Sequence, residues 1–94
     1  MQTAVVVLQG EYDASRRDEL DAELDRFGDA EPLAIDAHAV ESLDTSALRS
    51  LVRFQRARAA AGKSPAVLLR PSAEMQHFLT VAEVNSAFEI RDRI

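Results

Sequence analysis

The sequence predicts a small α/β domain built as a mostly parallel four-stranded core sheet with three helices. Two observations carry this. Short β-type apolar runs alternate with segments whose apolar residues recur at helical spacing. Glycine, proline and capping residues punctuate the boundaries between them. A length of 94 residues, 47% of them hydrophobic, suits one domain over residues 1–94 with a modest core and no deep substrate cavity.

The first segment, Thr3-Ala4-Val5-Val6-Val7-Leu8-Gln9, is β-branched and almost continuously apolar. It reads as a strand covered on both faces and ended by Gly10. From Asp13 the spacing becomes helical, with Leu20, Leu24 and Phe27 on one stripe, acids along the outer face and Gly28 as the stop. Asp13 or Ser15 is placed to cap this helix. Pro32 introduces a second strand, Leu33-Ala34-Ile35-Asp36-Ala37.

Next, Asp44-Thr45-Ser46 stands directly before a strong helical pattern over about 45–61, with Leu48, Leu51, Val52 and Gln55 on one stripe, supported by Phe54. Gly62 occupies the position of a C-terminal cap. After Pro65, Ala66-Val67-Leu68-Leu69 is a third strand, halted by Pro71. Ser72 caps a short helix carrying Met75, Phe78 and Leu79, and Ala87-Phe88-Glu89-Ile90 supplies a closing strand.

Composition excludes several functions. The chain has no cysteine, so disulfides, thiol catalysis and cysteine-ligated metals are ruled out, and two histidines, His38 and His77, are poor material for a metal site. The acids on the first helix, Asp18, Asp21, Glu23 and Asp25, lack the glycine-centred calcium-loop pattern and read as a solvated face. No apolar run approaches the roughly 18 residues of a membrane span, so no membrane insertion is expected. The net charge is −5, unevenly spread: residues 1–47 hold twelve acids and three bases, residues 48–94 four acids and eight bases. An acidic chain without a helix-turn-helix pattern is a poor nucleic-acid binder, which leaves a protein as the expected partner.

The chemistry centres on Asp44, Thr45 and Ser46. The first turn of a helix presents unpaired backbone N–H groups and the positive end of the dipole. All three residues are ordinary helix starters and suffice as caps. A phosphate on Thr45 would also be tolerated there, with a local benefit of roughly 0.3–2 kcal/mol. Buried in an interface without a cation, the same dianion would cost several kcal/mol, enough to dissociate a complex. Arg49, Arg53 and Arg56 follow Thr45 at intervals of four, four and three, and so share its helix face; they serve either as a solvated face or as contacts for an acidic partner or a phosphate at 45. A hydrolase built from Ser46, His38 and Asp13 has no G-x-S-x-G elbow to support it, and no enzymatic activity is expected.

Taken in order, these pieces resemble the STAS domain family, the fold of anti-sigma factor antagonists. Gly10-Glu11-Tyr12-Asp13 looks like its G-E-hydrophobic-D element, Leu33-Ala34-Ile35-Asp36 its strand ending in Asp, and Asp44-Thr45-Ser46-Ala47-Leu48 its D-[ST]-[ST]-G-L element. The resemblance implies a cytoplasmic bacterial partner switch in transcription regulation. The unphosphorylated domain captures an anti-sigma factor that is also a serine/threonine kinase, freeing a sigma factor, and phosphorylation of Thr45, with Ser46 as alternate acceptor, releases it. A phosphatase would reset the switch. The implied partner surface comprises Asp13, Asp36, Asp44, Thr45, Ser46, Ala47, Arg49 and Arg53, with no cofactor or metal of the chain's own. The alternative role is a STAS structural subunit of a multiprotein complex, such as a lipid-transport ATPase, without phosphoswitching.

Three departures stand out. Ala47 replaces the family's usual Gly, and its methyl is expected to alter how closely a partner approaches. Glu83 stands where a Gly commonly follows the last helix. The chain begins almost at its first strand, leaving a sheet edge through which a homodimer could form.

Overall fold

A computed structural model describes residues 3–82 and 88–93. Its elements run β1 (Ala4–Tyr12), a single 3-10 turn (Ala14–Arg16), α1 (Arg17–Asp25), β2 (Leu33–Leu43), α2 (Thr45–Ala60), β3 (Val67–Leu69), α3 (Ala73–Val81) and β4 (Glu89–Arg91). The four strands form one parallel sheet in the order β1-β2-β3-β4. The fold class is therefore the α/β arrangement that the alternation of patterns implies.

Sequential strand order with right-handed crossovers places successive helices on one face of a sheet. The core follows that rule. Val6 and Leu8 of β1, Leu33, Ile35 and Ala37 of β2, and Leu68 of β3 join Leu20 and Leu24 of α1, Leu51 and Phe54 of α2, and Met75 and Leu79 of α3 in one buried cluster. The opposite face presents the rows Val5–Ala34–Val67 and Val7–Asp36–Leu69, set by strand register. Val5 and Val7 are 37% and 52% exposed, so β1 is a half-buried strand and not one covered on both faces. A continuous apolar run does not distinguish these cases, because coverage is decided by where the crossovers go.

Two boundaries also differ from the sequence reading. β1 continues past Gly10 to Tyr12, and β2 continues past Ala37 to Leu43, because the two pair along their whole length. Register shifts between Val7 and Gln9 and between Gly10 and Glu11 accommodate this extension, and Gly10 has φ +82°, the left-handed conformation that glycine adopts without penalty. Gly10 thus bends the strand where it was expected to stop it. The 3-10 turn before α1 takes up the start of the expected first helix.

α1 ends at Asp25, so Phe27, expected on its stripe, lies in the turn that follows, and Phe88 precedes β4; the limits of α2 and the start of α3 agree closely. α2 ends in a Schellman arrangement, with Gly62 at φ +76°, the Lys63 N–H donating to the Arg58 carbonyl at 2.9 Å and the Gly62 N–H to Ala59 at 3.1 Å. Ser72 caps α3 by accepting the Met75 N–H at 3.2 Å. β4 starts at Glu89; Ala87, where the closing strand was expected to begin, and Glu83 lie outside the described residues. Among the described residues, no helix is long and apolar enough to cross a membrane.

Candidate functional site

The start of α2 is built by the joint ends of β1 and β2. Their pairing closes with Tyr12 opposite Leu43, after which the Asp44 N–H donates to the Tyr12 carbonyl at 3.0 Å. Arg16 secures this end of β1: its guanidinium donates to the carbonyls of Gln9 and Glu11 at 3.2 and 2.6 Å and lies 4.2 Å from the Tyr12 ring centre. Its Nε also donates to Glu19 Oε2 at 2.7 Å; the sequence pattern announces that i,i+3 pair but not the backbone partners at the bulge.

Asp44 is the N-cap. Its Oδ1 accepts the Ala47 N–H at 3.0 Å and the Ser46 hydroxyl at 2.7 Å. These bonds, the Ala47 N–H foremost, hold its carboxyl below the usual aspartate range. Asp13 stands beside it as the cap of the 3-10 turn. The Ser15 hydroxyl and then the Ser15 N–H hold Asp13 low in the same way, while the charge of Asp44 acts in the opposite sense. Thr45 is the first residue of α2 and is exposed; among the described residues its hydroxyl has no hydrogen-bond partner. The helix is thus capped by Asp44, whose carboxylate the Ser46 hydroxyl braces, without help from Thr45, whose side chain is left at the surface beside unpaired N–H groups of the first turn.

Arg49, Arg53 and Arg56 continue from Thr45 along the exposed face of α2, where, together with Leu48, Val52 and Ala82, they line a groove of about 580 Å³ between α2 and the end of α3. Asp13, Asp44, Thr45, Ser46, Arg49 and Arg53 therefore occupy one end and one side of the molecule.

Two of the expected surface residues lie elsewhere. Asp36 is 6% exposed, on the sheet face opposite the helices, where it accepts from Arg70 Nη2 at 2.7 Å and pairs with His38 Nδ1 at 2.7 Å. Burial pushes its carboxyl upward, and the bonds from His38 and Arg70 outweigh that and leave it low. Because β2 runs on to Leu43, Asp36 is in mid-strand and separated from Asp44 by roughly 20 Å or more of extended chain. Ala47 is fully buried in the core cluster. Its methyl packs inward, away from the outer surface of α2.

The hydrolase arrangement is not assembled: the Ser46 hydroxyl donates to Asp44, and His38 pairs with Asp36. His77 is exposed on α3. No group of three or more potential metal ligands occurs among the described residues.

Solved structures with the same fold include a sulfate transporter family protein from Wolinella succinogenes (TM-score 0.79, 18% identity, covering 98% of this chain and 78% of that one). A putative anti-sigma factor antagonist from Thermotoga maritima matches at TM-score 0.76 and 18% identity, covering 96% of this chain and 80% of that one. The anti-sigma factor antagonist SpoIIAA in its unphosphorylated form matches at 0.71 and 20%, covering 98% and 81%. At these identities the likeness is one of fold. No curated protein matches the sequence significantly. The family model described as "Mlab, STAS domain" matches residues 1–91, so the chain, in sequence as in fold, belongs to the STAS domain family.

Proposed function

We propose that the chain is a non-enzymatic docking module whose contact surface is the start and outer face of α2, and that phosphorylation of Thr45 controls its occupancy. One observation carries this reading: Thr45 is exposed at the first position of α2 while the cap is already supplied by Asp44. A phosphate there adds about −1.5 to −2 charge next to N–H donors that favour an anion, so the fold keeps its stability. A partner closing over the same dianion must strip its water, which costs several kcal/mol unless a cation meets it. About 1.4 kcal/mol is a factor of ten in affinity, and release follows. In this reading the partner is an anti-sigma factor with serine/threonine kinase activity, the setting is bacterial and cytoplasmic, and a phosphatase resets Thr45, with Ser46 the secondary acceptor. Asp13 and Asp44 border the contact.

A second reading draws on the description of the matching family and on the sulfate transporter family protein among the similar folds. In it the same surface docks permanently in a transport ATPase complex and Thr45 is never modified. Affinity capture from the native cell with and without ATP, followed by phosphosite mapping, separates the two. Switching requires a partner retained without ATP, lost with ATP, and retained under both conditions by Thr45→Ala. A partner held equally with and without ATP, and no phosphate at Thr45, refutes it in favour of the permanent subunit.

A further inference from the structure

The arginines of this chain divide into two groups. Arg16, Arg17, Arg26, Arg70 and Arg91 each pair with a carboxylate, and Arg58 donates to backbone carbonyls. Arg49, Arg53 and Arg56 on α2, and Arg93 near the end of the chain, are exposed and, among the described residues, form no hydrogen bond or ion pair, although the chain carries sixteen acids against eleven bases. The three on α2 share one helix face and border one groove, which Arg93 does not line. Between them lie Leu48, 5% exposed, and half-buried Val52, and Ala82 lines the groove from the end of α3. A row of exposed planar cations without carboxylate partners, beside an apolar floor, suits an occupant that is both anionic and apolar.

We infer that this groove receives an acidic amphipathic helix from the partner protein. Carboxylates on such a helix recur every three or four residues, about 5–6 Å apart along its axis, which matches the spacing of Arg49, Arg53 and Arg56 on α2. Guanidinium groups suit this task because they hold carboxylates in a fixed two-point geometry. Apolar residues on the adjoining stripe of the same helix cover Leu48, Val52 and Ala82. Two other occupants fit less well. The α1 helix of a second copy is acidic, but Leu20 and Leu24 are buried in its own core, so it offers charge with no apolar face. A nucleic acid would meet an apolar floor and a chain of net charge −5.

This inference rests on the docking surface proposed above and adds the chemistry of what docks. It also gives the switch a further element, because a phosphate on Thr45 stands one turn from Arg49 and adds negative charge beside the row, where it repels the incoming carboxylates.

The test uses the full chain and a fluorescein-labelled helical peptide of about 18 residues, long enough to hold a helix, with a leucine stripe flanked by glutamates. Two controls replace every glutamate by lysine or scramble the leucine stripe. Anisotropy is read near 0.05 M and 0.5 M salt, where the screening length falls from over 10 Å to about 4 Å, and amide shifts map the contact. The glutamate peptide should bind at least about tenfold tighter than either control, weaken in high salt, and shift α2 and Ala82. Arg53→Glu should weaken it about tenfold or more, and Arg53→Gln, which conserves helix propensity, by less. Equal affinity for the three peptides, shifts centred elsewhere, no binding, or indifference to Arg53→Glu overturns the inference. Tighter binding of duplex DNA than of the peptide, or self-association that Arg53→Glu abolishes, does the same. No kinase or ATP enters this assay, so its failure is separate from failure of the Thr45 switch.

Discussion

Replacing Arg58 by methionine tests whether α2 is held in place independently of the surface it presents. The side chain is 2% exposed, and its Nε donates to Ser64 O at 2.9 Å while Nη1 donates to Gly28 O and Ala30 O at 3.3 and 2.8 Å. One guanidinium therefore joins the end of α2 to both the α1–β2 and α2–β3 loops, and it lies 5.9 Å from the Phe54 ring centre. Methionine retains the apolar stem and abolishes all three bonds. Bonds to a charged donor contribute about 1.5–3 kcal/mol each, but the carbonyls are part-exposed and water replaces some of the loss, so the net cost is about 2–4 kcal/mol. For a domain of this size each kcal/mol moves Tm by about 4–8 °C, giving a fall on the order of 10–25 °C. Urea unfolding followed by circular dichroism measures it, with the m value unchanged. Arg58 is about 20 Å along α2 from Thr45, so docking at the helix start should persist wherever the variant is folded. A loss below about 1 kcal/mol, or full stability in Arg58→Lys, which lacks the planar fork, would refute this account of the anchor.

Three further outcomes follow from particular contacts. Asp13, Asp36 and Asp44 all titrate below the ordinary aspartate value of about 3.9. Each contributes stability that is fully present above that value and is lost as pH falls through its lower folded-state pKa, so urea midpoints should be level from about pH 7 to 5 and decline below about pH 4. Asp44→Asn, which keeps a capping oxygen without the charge, should reduce that decline. Gly62→Ala, at φ +76° with open space around the added methyl, should cost about 1 kcal/mol through backbone strain alone. Ala47→Gly should cost about 1 kcal/mol or more, because it opens the core and weakens the helix, while leaving partner affinity in pull-down titrations unchanged.

Much of the fold is legible in local chemistry. The limits of α2 and α3 follow from Asp44, Ser72 and Gly62, whose preferences depend only on the neighbouring turn. The buried stripe of α2 follows from 3.6-residue periodicity, and the same periodicity places Arg58, seven residues after Leu51, on the buried side; its charge alone argues for the surface. Gln55 is another polar residue on that stripe, and its burial is explained by paired 2.9 Å bonds to the backbone of Ala66, eleven residues away.

The candidate site divides along the same line. That Thr45 begins a helix capped by Asp44 is a property of five consecutive residues. That Asp13 stands beside it, while Asp36 turns to the far face and Ala47 points inward, depends on pairing between β1 and β2 and on the hand of the crossovers. Short-range preferences are carried by residue type and spacing, so composition and pattern suffice for them. Register, bulges and the choice of covered face arise from contacts between segments dozens of residues apart, and only the assembled sheet selects among them.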